Sequence, residues 1–355
     1  MLDTNKIDTL SFIRVYWEII MMRKRAKIMN YAVIGVAIAA LALALHTEAL
    51  AKDQVRAISA FPKQLLFTKQ FLKFVDEINK TSGAPLSIRY VGGPEVTPTR
   101  QQGTAIRSGA FDMLMGPPAY YQGAVPEGFV LFGSNVSPQE ARANGGTALL
   151  DKIFGEKLNA KFLAWGSGGV GFHIYLTKAP KRKADGAIDL SGMKLRSAPP
   201  YKAWFQSLGA TNVMMSAPEI YTALERKVVD GFGWPAIGFT DLGLHKFVKY
   251  RIDPKVWQLD IVIIMNRDKW NGLDAGTRKF LSARMVAFER DSSAAFSKRA
   301  LEDIAKLRQA GAQLIDLKGD VRTKFVNSAH AIPWKRIKQK APGNYAALRA
   351  KFYKE

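Results

Sequence analysis

The chain has 355 residues, 48% of them hydrophobic, enough for one large or two medium domains with a substantial core. It contains no cysteine, which excludes disulfides and thiol chemistry. A formal net charge of +22 is one signature of a nucleic-acid binder, but the basic residues are scattered and no aromatic-basic motif of an RNA reader is present. A basic surface that attracts small anions accounts better for the charge.

Residues 1–51 have the composition of a targeting segment. Arg23, Lys24, Arg25 and Lys27 form a positive region, and Tyr31 to Leu45 is an apolar run. Ala49-Leu50-Ala51 supplies an A-x-A cleavage pattern. The run is shorter than the ~20 residues a membrane span needs. A cleaved signal peptide and a periplasmic mature chain from Lys52 are expected, with an uncleaved anchor as the alternative. Met21, Met22 and Met29 are alternative starts that would shorten the leader.

After the leader, Val55 to Ser59 reads as a strand. Leu65 to Ile78 is apolar at helical spacing through Phe67, Phe71, Phe74 and Val75. Leu86 to Val91 alternates as a strand, and Gly92-Gly93-Pro94-Glu95 forms a turn. A helix near Pro98 to Ser108 and a strand from Phe111 to Met115 follow, ending at Pro117-Pro118-Ala119-Tyr120-Tyr121. Residues 138–160 read as helix and Lys161 to Trp165 as strand. Gly166, Gly168 and Gly171 fit G-x-G-x-x-G, but the fingerprint requires a helix next. Phe172-His173-Ile174-Tyr175-Leu176 reads as strand instead, so the glycines are assigned to a crossing between lobes rather than to a dinucleotide site.

The stretch from Ser191 to Pro235 reads as strand, helix, strand, helix, strand. Its strands are Met193 to Arg196, Thr211 to Met214 and Val228 to Gly231. Gly209 stops the first helix, and Ser216 with Glu219 forms an S-x-x-E capping box for the second. In open α/β sheets ligands bind at the strand ends of such units. Gln258 to Met265 is apolar and β-branched, a buried strand. Asp274 to about Leu307 keeps helical periodicity for ~50 Å. Asp320 to Ala329 and Tyr345 to Phe352 read as surface-packed helices.

Within Ser191 to Pro235 the matches K-x-R (Lys194, Arg196), L-G-A (Leu208, Gly209, Ala210), E-x-Y-x-A-L (Glu219, Tyr221, Ala223, Leu224) and V-D-G (Val229, Asp230, Gly231) occur in order. This ordered set resembles the DctP-type solute-binding proteins of tripartite ATP-independent periplasmic (TRAP) transporters. The resemblance implies an α/β, two-lobed periplasmic binding protein fold, type II-like, with a ligand cleft between lobes and a long helix spanning both. On that pattern lobe I takes residues 52–174 plus 261–300, and lobe II residues 175–260 plus 301–355. The implied function is capture of a small organic anion and delivery to the small and large membrane subunits of a permease driven by an ion gradient. No cofactor, metal or nucleic acid is expected.

The resemblance makes Arg196 the anchor for a ligand carboxylate, since a guanidinium binds a carboxylate through two parallel hydrogen bonds. Trp234 stands where many relatives carry Asn, and offers a flat apolar wall; the competing role is a core tryptophan. Phe61, Tyr120 and Tyr121 are candidate first-lobe contacts or packing residues. His173 is a weaker candidate, because a one-residue slip along its strand turns it to the opposite face.

Enzyme signals are absent. His173, His245 and His330 lack H-x-x-x-H spacing, and Trp165 occupies the position where a G-x-S-x-G elbow around Ser167 needs glycine. The competing function is a periplasmic α/β enzyme acting on an organic acid.

Overall fold

The computed structural model describes residues 13–18, 20–24 and 53–354. The chain divides into two compact units, Met1–Lys52 and Asp53–Glu355. In the first unit, residues 13–18 and 20–24 are helical. The apolar run Tyr31 to Leu45 and the Ala49–Ala51 cleavage pattern lie outside the described residues. No helix among the described residues is long and apolar enough to cross a membrane.

The second unit is built on two mixed sheets. The first contains β1 (Asp53–Ser59), β2 (Leu86–Gly92), β3 (Met113–Gly116), β4 (Ala160–Trp165) and β12 (Val262–Asn266), in the order β2-β1-β3-β12-β4. β1 pairs in parallel with β2 and β3, while β12 runs antiparallel between β3 and β4. The second contains β5 (Phe172–Leu176), β8 (Lys194–Ser197), β9 (Thr211–Met214), β10 (Gly231–Pro235), β11 (Tyr250–Val256) and β13 (Gln313–Asp316), in the order β13-β11-β5-β10-β8-β9. A small hairpin joins β6 (Lys181–Arg182) to β7 (Ile188–Asp189).

The strand faces follow from the side chains. In β1, Val55 and Ala57 pack into one apolar cluster and Ile58 into another on the opposite face. The helix Leu66–Lys80 buries Phe67, Phe71, Phe74, Val75 and Ile78 at helical spacing and leaves its lysines outside. The segment expected as one helix over 138–160 is two, Pro138–Ala143 and Gly146–Leu158. Gly145 lies between them at φ +85°, a conformation that breaks a helix and that glycine adopts without strain.

Three connections pass between the sheets. Residues 166–171 join β4 to β5, so the G-x-G-x-x-G glycines form a crossing followed by a strand. Residues 257–261 return from β11 to β12, and the helix Ala275–Gln309 leads to β13. The two short crossings are laced together. Gly166 N–H donates to Ile261 O at 3.0 Å, Leu259 N–H to Val170 O at 2.8 Å, and the buried Ser167 hydroxyl to Leu259 O at 2.8 Å.

The long helix has 35 residues, about 50 Å at the α-helical rise. Its two buried acids fasten it to different sheets. Glu289 accepts from Arg142 at 2.8 Å and from the Trp165 N–H in β4 at 2.9 Å. Asp303 accepts from Gly238 N–H at 2.7 Å and from Thr240 Oγ1 at 2.6 Å, just beyond β10. One rigid rod therefore bridges both lobes.

Candidate functional site

Lys194 to Pro235 forms the expected alternation, and its motif residues have visible tasks. Asp230 Oδ2 accepts from the Lys194 N–H at 2.9 Å, so the acid of V-D-G fixes the strand that carries K-x-R. Gly209 adopts φ +89° after the helix Lys202–Ser207. The S-x-x-E box is half made: Ser216 N–H donates to Glu219 Oε2 at 2.7 Å, but the N-cap of the helix Ile220–Glu225 is Glu219 itself, with no side-chain cap.

The third strand is shifted from its expected span. It runs Gly231–Pro235, not Val228–Gly231, because Val228 N–H still donates back to Ala223 O and Lys227 turns at φ +55°. Trp234 is therefore inside the strand rather than in the loop after it, and pairs with His173 of β5.

Arg196 in β8 is 3% exposed. Its Nε and Nη2 donate to Met215 O at 3.2 and 3.1 Å, and its Nη1 to Gly233 O at 3.4 Å. These bonds use three of the five N–H donors and leave one on each terminal nitrogen. Among the described residues no carboxylate pairs with it. Burial pulls the guanidinium below its ordinary value, with Tyr201, Tyr120 and Glu219 opposing. A buried cation without a counter-ion is costly unless something else supplies the negative charge.

The guanidinium faces a cavity of about 60 Å³ that also touches a wider groove of about 380 Å³. Phe61, Tyr120, Arg196 and Ala198 line both. The cavity wall is mostly aromatic and draws on both sheets. Phe61 and Tyr120 follow strands of the first, with ring centres 6.1 Å apart. Trp234 and Tyr201 come from the second, and Trp234 lies 5.5 Å below the Arg196 guanidinium carbon, within cation–π range. Trp234 is 4% exposed, with its Nε1–H donating to Ile237 O at 3.0 Å. Gly233 lets the wall close, because a Cβ there would sit 2.5 Å from the Tyr201 ring.

Two sequence candidates lie elsewhere. Tyr121, on the turn Pro118–Tyr121, packs against Phe154 at 6.4 Å in the outer layer of the first lobe. His173 Nδ1 sits 2.8 Å from Asp253 Oδ1 and is held below its ordinary value by burial, against the opposing pull of Asp253. Neither lines the cavity.

Tyr201 and Asp260 are among the cavity residues absent from the sequence candidates. Tyr201 opens the helix after Pro199-Pro200. Asp260 lies on the second crossing, 3% exposed, with Oδ2 buried and unpartnered. Burial pushes its carboxyl up to about 7, while the backbone N–H groups of Asp260 and Ala119 oppose that shift. Its signal in the sequence was a lone acid beside an apolar run. Among the described residues no cluster of three or more His, Cys, Asp or Glu is placed to hold a metal.

Comparison with known proteins places this architecture. The chain is 28% identical over 272 residues to a monocarboxylate 2-oxoacid-binding periplasmic protein of Nostoc, covering 70% of this chain and 71% of that protein. It is 25% identical over 258 residues to the C4-dicarboxylate-binding periplasmic protein DctP of Rhodobacter capsulatus, covering 70% and 75%. A TRAP transporter solute-binding protein of Bordetella bronchiseptica, solved with calcium and picolinate, superposes with a TM-score of 0.72 at 19% identity over 85% of this chain and 92% of that one. Residues 59–340 match the family DctP, bacterial extracellular solute-binding protein, family 7, and the chain belongs to that family of two-lobed solute-binding proteins.

Proposed function

We propose that this protein is the extracytoplasmic receptor of a TRAP transporter and captures a small organic acid between its lobes. The observation that carries the reading is Arg196: a buried guanidinium without a paired carboxylate, with donors left over, at the wall of an aromatic cavity. A ligand carboxylate would supply the missing charge and accept the two remaining N–H groups in the planar geometry that suits arginine. The names of the Nostoc and R. capsulatus relatives specify carboxylates, and the B. bronchiseptica structure holds the aromatic acid picolinate. The flat walls from Tyr120, Tyr201 and Trp234 favour a small planar or ring acid.

Capture proceeds by closure about the laced crossings at 166–171 and 257–261, with the long helix as the common rod. Lobe I then centres on the first sheet and lobe II on the second, and the membrane subunits of the permease receive the loaded form. The chain is exported with cleavage after Ala51, and the relatives named as periplasmic support that location. A thermal-shift panel of 2-oxoacids, C4-dicarboxylates, picolinate and benzoates tests the reading. A ligand at a hundredfold excess over its Kd should stabilise the protein by about 2.7 kcal/mol. Stabilisation by uncharged amide analogues as large as that by the acids would refute it.

A further inference from the structure

Backbone N–H groups of Ala119 and of Asp260 itself approach the Asp260 carboxyl, yet its Oδ2 has no hydrogen-bond partner. Its neighbours pin the backbone: Leu259 N–H donates to Val170 O, Leu259 O accepts from Trp165 Nε1 at 2.8 Å, and Ile261 N–H donates to Ser167 Oγ at 2.9 Å. The side chain is thus carried into the cavity by a segment that cannot withdraw it. Once there, Oδ2 is buried without a hydrogen bond, and the carboxyl makes no ion pair with Arg196 or with any other described side chain. An unsatisfied buried acceptor destabilises the ligand-free protein. The cavity wall carries one cation, Arg196, and one carboxylate, Asp260, neither in an ion pair among the described residues.

We propose that Asp260 is a second recognition pole: the cavity selects an organic acid that also carries an N–H or O–H donor, with its carboxylate on Arg196 and its donor on Asp260 Oδ2. This rests on the anion-receptor reading above and narrows the ligand from any small carboxylate to one with a donor. A plain carboxylate would leave Oδ2 unpaired and add a second negative charge to the cavity. A donor-bearing ring acid satisfies both poles at once. Sites that hydrogen-bond a ligand donor reject the analogue lacking it, because the buried acceptor is then left empty.

The experiment is isothermal titration with matched acids that differ by one donor. The pairs are 4-hydroxybenzoate against benzoate, 3-hydroxybenzoate against benzoate, and pyroglutamate against 3-oxocyclopentanecarboxylate. The wild type is expected to prefer the donor-bearing acid of at least one pair by about tenfold or more, the usual scale for a hydrogen bond to a charged group. Asp260→Leu keeps the approximate side-chain shape and removes the acceptor. It should erase that preference while still binding the donor-free acid.

A second arm needs no variant. Between pH 5.5 and 8.5 Asp260 ionises, whereas the groups facing it do not titrate in that range: Arg196 from β8, Tyr201 from the helix that follows, and Tyr120 and Tyr121 from the turn Pro118–Tyr121, the tyrosines being held above their ordinary value by burial. The ratio of the two affinities in a pair cancels the repulsion common to both carboxylates, so it should rise with pH. A preference unchanged in Asp260→Leu, a ratio flat across that pH range, or equal affinity within every pair overturns the proposal. Failure of every acid to bind removes the receptor reading and this proposal with it. If Arg196→Ala binds like the wild type while the donor preference still depends on Asp260, the anchor falls and the second pole stands.

Discussion

Asp260→Asn should stabilise the ligand-free protein, and by an amount that grows with pH. The folded state holds the Asp260 carboxyl at about 7 against an ordinary 3.8. Its folded value is raised, so folding favours the protonated form. The penalty is absent below the unfolded value, grows as pH rises, and levels off above about 7. A shift of this size corresponds to about 4 kcal/mol at pH 8, at 1.36 kcal/mol per unit. Some 2 units of that range lie between pH 5 and 7, so the advantage of Asn over Asp should widen by about 3 kcal/mol from pH 5 to pH 8. Urea unfolding of both purified, ligand-free proteins at the two pH values measures this directly. Every other titrating group is common to both chains and cancels in the difference. Identical stability differences at pH 5 and pH 8 would show that Asp260 is solvated or paired, and would remove the basis for treating it as a buried orphan.

Gly233→Ala places a Cβ 2.5 Å from the Tyr201 ring. It should displace that wall of the cavity, with about 1–3 kcal/mol of strain visible in thermal melts and weaker acid binding. His173 has a folded value lowered by burial, so its contribution to stability is present above the unfolded value of 6.5 and is lost as pH falls from there through the lower folded value. His173→Gln should flatten that acid limb in pH-dependent unfolding and leave ligand affinity unchanged; a large loss of affinity would put His173 back at the site. Asp303→Ala removes the acceptor for Gly238, Thr240 and Arg299, and should cost about 3–5 kcal/mol in urea unfolding. A neutral result would mean that the long helix is not fastened to the second lobe there.

The parts of the fold legible in the sequence were those set by local chemistry. Phe67, Phe71, Phe74 and Ile78 declared a helix by spacing alone, and the long helix by unbroken periodicity. The strand after Gly171 was enough to dismiss the dinucleotide fingerprint. Arg196 was found through the ordered motifs around it, and the structure adds why they travel together: Asp230 ties down the strand that carries Arg196. Other features depend on contacts distant in sequence. Nothing local separates Tyr120, which faces the cavity, from Tyr121, which turns into the outer layer one residue later. Trp234 moved from loop to strand because Lys227 and Val228 prolong the turn before it. His173 found its partner on β11, 80 residues on, and Asp260 became a site residue only when two lobes met around it.

The affinity of Arg196→Ala for an acid that stabilises the wild type in the thermal-shift panel tests the carboxylate anchor most directly. Removing one partner of a buried charge pair costs about 2–5 kcal/mol, so isothermal titration should show binding weakened by roughly one and a half to four decades. Arg196→Lys should recover only part of the loss, since an ammonium offers a point charge in place of the planar fork. Melts of the ligand-free variants should stay close to the wild type, because the unpaired cation is itself a burden on the empty protein. Unaltered affinity in Arg196→Ala would contradict the anchor, and a collapsed melting temperature would make Arg196 a structural residue instead.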